Sequence, residues 1–145
     1  MSNTVITISR QYGSGGRELS EILAKKLGVK LYDRQIIHMA AAMLGIGDLT
    51  DESLRELENK VLPLSSAFMP FYSFGSHAGP NVNTELFLAE SKVIHQLVND
   101  GPCVILGRCA DYILSEQENH YSFFIYADDD YRASRGKTTY AGKSL

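Results

Sequence analysis

The stretch VITISRQYGSGGREL, residues 5–19, decides the fold of this chain. Its first four residues, Val5–Ile8, form an apolar run typical of a β-strand, and a glycine-rich turn then opens an amphipathic helix. Glycines let a backbone curl tightly, so that its N–H groups point inward at an anion. The positive end of the helix dipole adds to that attraction. The stretch therefore predicts a phosphate-binding loop, or else a glycine-rich turn without a ligand.

The loop departs from the standard phosphate-binding pattern, G-x-x-x-x-G-K-[ST], whose Lys contacts phosphate and whose Ser or Thr holds Mg²⁺. When Gly13-Ser14-Gly15 is matched to that pattern, Gly16 falls at the Lys position and Arg17 follows it. When Arg17 is matched to the Lys instead, Gln11 stands where the first Gly belongs. Arg17 replaces the charge of the Lys but differs from it in reach and geometry.

Length and composition indicate one ordinary globular domain, with 145 residues of which 44% are hydrophobic and 21% charged. A net charge of −3 gives no support for binding to a nucleic-acid polymer or an anionic membrane, because phosphate backbones require a basic face. No stretch approaches the roughly 20 apolar residues that span a bilayer. The two cysteines and the scattered histidines lack metal-ligand spacing, so we expect no metal site. We expect a cytoplasmic protein.

Apolar strand-like runs alternate with helix-like segments along the chain. Strands are predicted at 5–8, 29–32, 103–106 and 121–126. This alternation predicts an α/β fold, a three-layer αβα arrangement with a mostly parallel sheet of at least four strands and helices on both faces. In the first helix the apolar face is predicted at Leu19, Ile22, Leu23 and Leu27, with Gly28 at its end.

The other helices are predicted from the same spacing. The second uses apolar residues at 36, 37, 40, 43 and 44, a third follows Thr50, and a long fourth is capped by Asn83 or Thr84. Between the last two, residues 62–82 combine Pro, Gly and Ser with four aromatic residues. This composition is too apolar for a solvated linker. It predicts a mobile insert or lid over a pocket, or else an irregular loop packed on the core or in a dimer contact.

Polar residues of interest follow the strands of the predicted sheet. They are Ser9–Arg17 after the first strand, Asp33-Arg34 after the second, Gly107-Arg108 after the third and Asp128 after the fourth. Ligands of parallel sheets bind at the carboxyl ends of the strands. The sequence therefore predicts that these segments meet at one edge of the sheet and form a ligand site there.

Four segments together resemble the cytidylate kinase-like family of P-loop nucleoside monophosphate kinases. They are ITISRQYGSGGREL at 6–19, LYDRQII at 31–37, GPCVILGRCADYIL at 101–114 and FFIYADDDYRASR at 123–135. The resemblance implies ATP-dependent phosphoryl transfer to a nucleoside monophosphate, with cytidylate (CMP) as the expected acceptor and Mg²⁺ accompanying the ATP. The irregular loop leaves an alternative, a non-catalytic nucleotide- or phosphate-binding domain that has lost the Lys and the Ser or Thr.

The resemblance also assigns roles to individual residues. The donor phosphates would be cradled by Gly13, Ser14, Gly15, Gly16 and Arg17. The acceptor would be bound by Asp33, Arg108 and Asp111. Arg132 and Arg135 match the start of the family's arginine-bearing helix, which leads into the lid. The residues expected to take part in catalysis are accordingly Arg17, Arg108, Arg132 and Arg135.

Simpler roles are open for several of these side chains. Asp33 and Asp111 suit helix caps, and Arg108 suits an ion pair with either of them. Glu18 is expected as a first-turn acid that faces solvent, and residues 128–130 as acids that complement a helix N-terminus. Kinases of this fold continue through a lid, so the lid region after about residue 132 is expected to be incomplete. An exposed last strand would make a homodimer reasonable.

Overall fold

In a computed structural model of the chain, the residues described are 3–45, 50, 52 and 82–139, with the backbone alone for 82, 83 and 139. The helix predicted after Thr50 and the predicted insert lie outside this part, except for residues 50, 52 and 82. The strands are β1 (Val5–Arg10), β2 (Lys30–Tyr32), β3 (Cys103–Leu106) and β4 (His120–Ile125). The helices are α1 (Gly16–Leu27), α2 (Arg34–Met43), α3 (Val82–Asp100), α4 (Ala110–Ile113) and α5 (Asp129–Thr139).

The four strands form one all-parallel sheet in the order β2-β3-β1-β4. Val5 is in register with Cys103 on one side and with His120 on the other. The predicted α/β class and all four predicted strands are confirmed, with bounds that differ by one or two residues. Every residue of β3 is buried, as expected for a central parallel strand that is covered on both faces. Burial raises the pKa of the Cys103 thiol to about 11.

The chain folds into two compact units, one made of Met1–Gln35 with Ile94–Leu145 and the other of Ile36–Val93. In the first unit, a core around Ile8, Val104 and Leu106 of the sheet includes Ala24 of α1. In the second unit, the buried apolar residues include Ile36, Ile37, Ala40, Ala41, Leu86, Ala89 and Val93. That the chain forms a single domain stays a prediction.

Helix α1 buries a different face from the one predicted. Leu19, Ile22 and Leu27 are 44%, 55% and 52% exposed, whereas Leu23 is partly buried. The fully buried positions are Gly16, Ser20 and Ala24, spaced four residues apart. Small residues at this spacing form a flat stripe that lets the helix approach the sheet closely. The prediction failed because it counted large apolar residues and ignored small ones.

The predicted apolar face of the second helix is confirmed at Ile36, Ile37 and Ala40, which are buried. Met43 at the end of α2 and Leu44 directly after it are exposed, however, while Ala41 is buried. Helix α3 begins at Val82, ahead of the predicted capping residues. Gly28 ends α1 in the left-handed region as predicted, with its N–H directed at the carbonyls of Ala24 and Lys25.

Strand β4 lies at one edge of the sheet that the structure describes. Its residues from Tyr121 to Phe124 are exposed, and Phe123 and Phe124 point to opposite faces of the sheet. Unpaired edges favour pairing with another chain, so the homodimer stays a prediction. Among the described residues, no helix is long and apolar enough to cross a membrane.

Candidate functional site

The carboxyl edge of the sheet brings the predicted segments into one place within the first unit. Backbone hydrogen bonds continue the ladders beyond the strands: the N–H of Gly107 donates to the carbonyl of Ile8 at 2.9 Å, and that of Gln11 to the carbonyl of Ile125 at 2.9 Å. The Gln11 side chain accepts from the N–H of Ala127 at 3.3 Å. The segments after β1, β3 and β4 are therefore fixed side by side.

The glycine-rich segment from Gly13 to Gly16, called the glycine loop below, joins β1 to α1. Gly13 and Gly15 have φ of 77° and 83°, in the left-handed region that glycine adopts without strain. The N–H of Ser14 donates to the carbonyl of Gln11 at 3.2 Å, which closes the turn. Helix α1 then begins at Gly16 with no side-chain cap. Its first N–H groups lack partners within the helix, and they face the end at which an anion binds.

Close approach of the neighbouring segments requires glycine at two positions of the loop. A Cβ on Gly13 would lie 2.6 Å from the carbonyl oxygen of Arg132 in α5. A Cβ on Gly16 would lie 2.6 Å from the Cβ of Arg10. Both distances are far below van der Waals contact, so the loop fits only with hydrogen in these places.

Arg132 ties the start of α5 to the glycine loop. Its Nε donates to the carbonyl of Ala127 at 3.1 Å, its Nη1 to the carbonyl of Tyr12 at 3.5 Å, and its Nη2 to the Asp129 carboxylate. Three acceptors of the protein thus hold this guanidinium beside the loop. A role for Arg132 in catalysis stays a prediction.

Arg135, one turn further along α5, lies over the glycine loop. Its guanidinium carbon is 3.7 Å from the point where a Cβ of Gly15 would be, and it stands 5.7 Å from the centroid of the Tyr131 ring. Its Nη2 pairs with Glu18 Oε1 at 2.6 Å, and the Glu18 carboxylate raises the pKa of Arg135. Glu18 was expected to face solvent as a first-turn acid. It is half exposed, but its charge is paired across to α5.

Two polar atoms at the glycine loop are buried and lack a hydrogen-bond partner among the described residues. They are the Oγ of Ser14 and the Nε of Arg135. Buried donors normally find a partner in the protein, in water or in a ligand. Their presence beside left-handed glycines and a helix N-terminus fits a site that accepts an anion.

Arg17 and Asp33 form a contact between α1 and the end of β2. Arg17 Nη1 lies 3.7 Å from Asp33 Oδ2, and its Nε lies 3.5 Å from Glu21 Oε1. The Arg17 side chain is half exposed, while that of Asp33 is 14% exposed. The backbone N–H of Asp33 donates to Gln35 Oε1 at 2.9 Å. The structure therefore places the predicted donor cation and the predicted acceptor acid next to each other.

The segment after β3 carries a strained backbone. Gly107, Arg108 and Cys109 have φ of 69°, 62° and 53°, three consecutive residues in the left-handed region. For Arg and Cys such a conformation costs about 1–2 kcal/mol each. Strain of this kind persists where the surrounding structure enforces it, and it concentrates at functional sites. Asp111 follows in the first turn of the short helix α4, where it is partly buried.

Arg10 is a neighbour of the site that the sequence analysis did not single out. It ends β1, and its Nη1 would lie 2.8 Å from a Cβ on Gly107. Its position between the glycine loop and the end of β3 depends on strand pairing, which no local motif reveals. The sequence did contain one hint of its role. In the alignment that puts Gly16 at the Lys of the standard phosphate loop, Arg10 stands at the first Gly of that loop.

A family model described as the cytidylate kinase-like family matches residues 5–143. The chain belongs to the cytidylate kinase-like family. Membership agrees with the parallel sheet, the glycine loop and the convergence of arginines at its carboxyl edge, and it supports a nucleotide-kinase-like fold. A search of curated proteins gives no match.

A solved structure shares the fold of this cytidylate kinase-like chain. It is the crystal structure of an uncharacterized protein from Eubacterium ventriosum ATCC 27560, with a TM-score of 0.61 and 22% sequence identity. The likeness covers 94% of this chain and 61% of that one, so this chain spans less than two thirds of that protein's length.

Proposed function

We propose that this cytidylate kinase-like chain transfers a phosphoryl group from ATP to a nucleoside monophosphate, with CMP as the acceptor. The observation that carries the proposal is the glycine loop with two buried donors, Ser14 Oγ and Arg135 Nε, that have no hydrogen-bond partner within the described part of the chain. Two left-handed glycines and the N-terminus of α1 supply backbone N–H groups at the same place. Such a cradle suits the phosphates of a nucleotide.

The donor phosphates would lie on the glycine loop, from Gly13 to Gly16, with Arg17 at its edge. The acceptor phosphate would contact Arg108, whose strained backbone is held at the end of β3. Asp33 and Asp111 would bind the rest of the acceptor. Phosphoryl transfer needs two phosphates held in line with their charge neutralised, and little covalent help from the protein.

Arg132 and Arg135 would act from α5. Arg132 already donates to three acceptors of the protein, one of which is the carbonyl of Tyr12. Its role would therefore be to hold α5 against the loop. Arg135 is paired with Glu18, and its buried Nε could donate a hydrogen bond to a phosphate. Contact of Arg135 with the transferring group would replace part of this ion pair by a bond to phosphate.

Mg²⁺ is implied by the family as the companion of ATP, and the described side chains do not form a site for it. Within residues 3–45 and 82–139, no three His, Cys, Asp or Glu side chains are grouped to hold a metal ion. Two carboxylates of the site, those of Glu18 and Asp33, each face an arginine. Mg²⁺ is therefore proposed only as part of the Mg·ATP substrate, held by phosphate oxygens and water, as is usual for this ion.

The proposal is tested by ligand stabilisation followed by a transfer assay. Mg·ATP, CMP, UMP, AMP and inorganic phosphate are titrated separately while the unfolding temperature is measured. A ligand specific for the folded state adds about 2.7 kcal/mol at a hundredfold excess over its Kd. We expect Mg·ATP and CMP each to stabilise the chain, and the two together to give ADP and CDP.

One variant separates the acceptor site from the donor site, and a second variant is its control. Arg108→Ala should abolish stabilisation by CMP and turnover while leaving stabilisation by Mg·ATP in place. Lys26→Ala removes an exposed charge ten residues into α1, about 15 Å from the loop, and should behave as the parent chain. Binding of both nucleotides without turnover would favour the non-catalytic alternative, and no shift with any ligand would refute both.

A further inference from the structure

Arg10 crosses from the end of β1 to the end of β3. Its stem lies against the first residue of α1, since a Cβ on Gly16 would be 2.6 Å from its Cβ and 3.0 Å from its Cγ. Its guanidinium reaches the turn after β3, where a Cβ on Gly107 would be 2.8 Å from Nη1. The Arg10 side chain thus packs against Gly16 at its base and against Gly107 at its guanidinium.

The positions of Arg10 and Gly16 are exchanged relative to the standard phosphate loop. In the register that matches Gly15 to the second Gly of the pattern, position 10 is the first Gly and position 16 is the Lys. This chain has the cation at position 10 and the small residue at position 16. The geometry explains why the two changes occur together, because the stem of Arg10 occupies the space that the Cβ of a Lys at position 16 needs.

We propose that Arg10 supplies to the donor phosphates the positive charge that the Lys supplies in the standard loop. This inference rests on the proposed function and names the cation of its donor site. A guanidinium presents a planar fork that binds two phosphate oxygens at once. The side chain of Arg10 starts at the glycine loop, and its head lies next to Gly107, beside Arg108. It is therefore placed between the proposed donor and acceptor phosphates.

Arg17 is less well placed for this particular task. Its guanidinium already lies 3.5 Å from Glu21 and 3.7 Å from Asp33. Two carboxylates lie near its guanidinium, and half of the side chain is exposed to solvent. A phosphate that bound Arg17 would compete with these two acids for its guanidinium.

An exchange of the two residues tests the inference. Arg10→Gly, Gly16→Lys and the double variant are compared with the parent chain for their affinity for tripolyphosphate and Mg·ATP, by calorimetry. Arg10→Gly should weaken both by at least about tenfold, the scale of a lost hydrogen bond to a charged group. Gly16→Lys should also weaken them, because the new side chain collides with Arg10. The double variant recreates the standard pattern over residues 10–16 and should return to within about threefold of the parent.

A second pair of variants keeps the test decisive if the Lys at position 16 prevents folding, which circular dichroism would reveal. Arg10→Gln should lose the affinity and Arg10→Lys should keep most of it, while the unfolding temperature of the ligand-free chain changes little. Lys26→Ala is the control for loss of one positive charge. The affinity lost in Arg10→Gln should also shrink at high salt, since the contact is electrostatic.

The outcomes separate this inference from the proposed function. If the parent chain binds tripolyphosphate and both Arg10→Gly and Arg10→Gln bind it equally well, the role of Arg10 is refuted and the donor site stands. A loss in Arg10→Gly that neither Arg10→Lys nor a folded double variant recovers would also refute it, because Arg10 would then act only through packing. If the parent chain binds neither tripolyphosphate nor Mg·ATP, both proposals fall.

Discussion

Gly13 carries two separate constraints of the glycine loop. Its φ of 77° is unfavourable for any residue with a Cβ, and α5 leaves no room for one, because the carbonyl oxygen of Arg132 would be 2.6 Å away. The first constraint belongs to the turn itself. The second holds the loop against α5 and so keeps Arg135 over Gly15.

Substitution of Gly13 separates these two contributions. Gly13→Ala should lower the free energy of unfolding by about 2–4 kcal/mol, which combines left-handed strain with overpacking. Gly28→Ala is a matched control, since Gly28 has a φ of 67° and no described residue has an atom within 4 Å of the place of its Cβ. It should cost only the strain, about 1–2 kcal/mol. Urea unfolding measures both, and equal losses would contradict the close approach.

Single residues also mark the limit of prediction from sequence at this site. The glycine-rich turn between a strand and a helix was predicted because all three are patterns of neighbouring residues. The ion pair of Glu18 with Arg135 joins residues that are 117 positions apart in the chain, and no spacing rule connects them. The position of Arg10 depends on long-range pairing too, because its neighbour Gly107 follows a different strand, β3.

At the scale of elements, α1 is positioned by its small residues. Ser20 is fully buried, and its Oγ donates to the carbonyl of Gly16 at 2.7 Å, so its polarity is satisfied within the helix. Ala24 belongs to the core that includes Ile8 and Leu106. The stripe of small residues brings the N-terminus of α1, and with it the glycine loop, against the edge of the sheet.

A pair of substitutions distinguishes the observed face of α1 from the predicted one. Ala24→Leu should destabilise the chain by about 1–3 kcal/mol, because three extra carbons enter a filled core. Ile22→Ala should change the free energy of unfolding by about 0.5 kcal/mol or less, since Ile22 is 55% exposed. Denaturant titration gives both values. A larger loss for Ile22→Ala than for Ala24→Leu would restore the face predicted from periodicity.

For the whole molecule, the sequence was sufficient to predict the α/β fold class and the parallel pairing of the strands, but not the order of the strands in the sheet. Alternating strands and helices predict a parallel sheet, because parallel neighbours need crossover connections. The order β2-β3-β1-β4 places β1 beside both β3 and β4, and it thereby brings Gln11, Gly107 and Ala127 together. Such long-range pairing is set by the packing of the whole core, which a single local pattern does not encode.

Whether the two units unfold together is a further property of the whole chain that can be predicted. The boundary between them falls inside α2, after Gln35, and inside α3, after Val93. Each boundary divides one helix, and a helix forms cooperatively along its length. We therefore expect a single cooperative unfolding, in keeping with the predicted single domain.

Native-state hydrogen exchange in increasing denaturant tests this expectation. Amides of β3 report on the first unit, and amides of residues 84–93 in α3 report on the second. Cooperative unfolding requires the most protected amides of both sets to converge on one opening free energy with one denaturant dependence. If residues 84–93 opened through a separate transition of lower free energy, the chain would consist of two independently folding parts. A ligand at the glycine loop would then raise protection only in the first unit, and the same experiment with and without Mg·ATP would locate that boundary along α3.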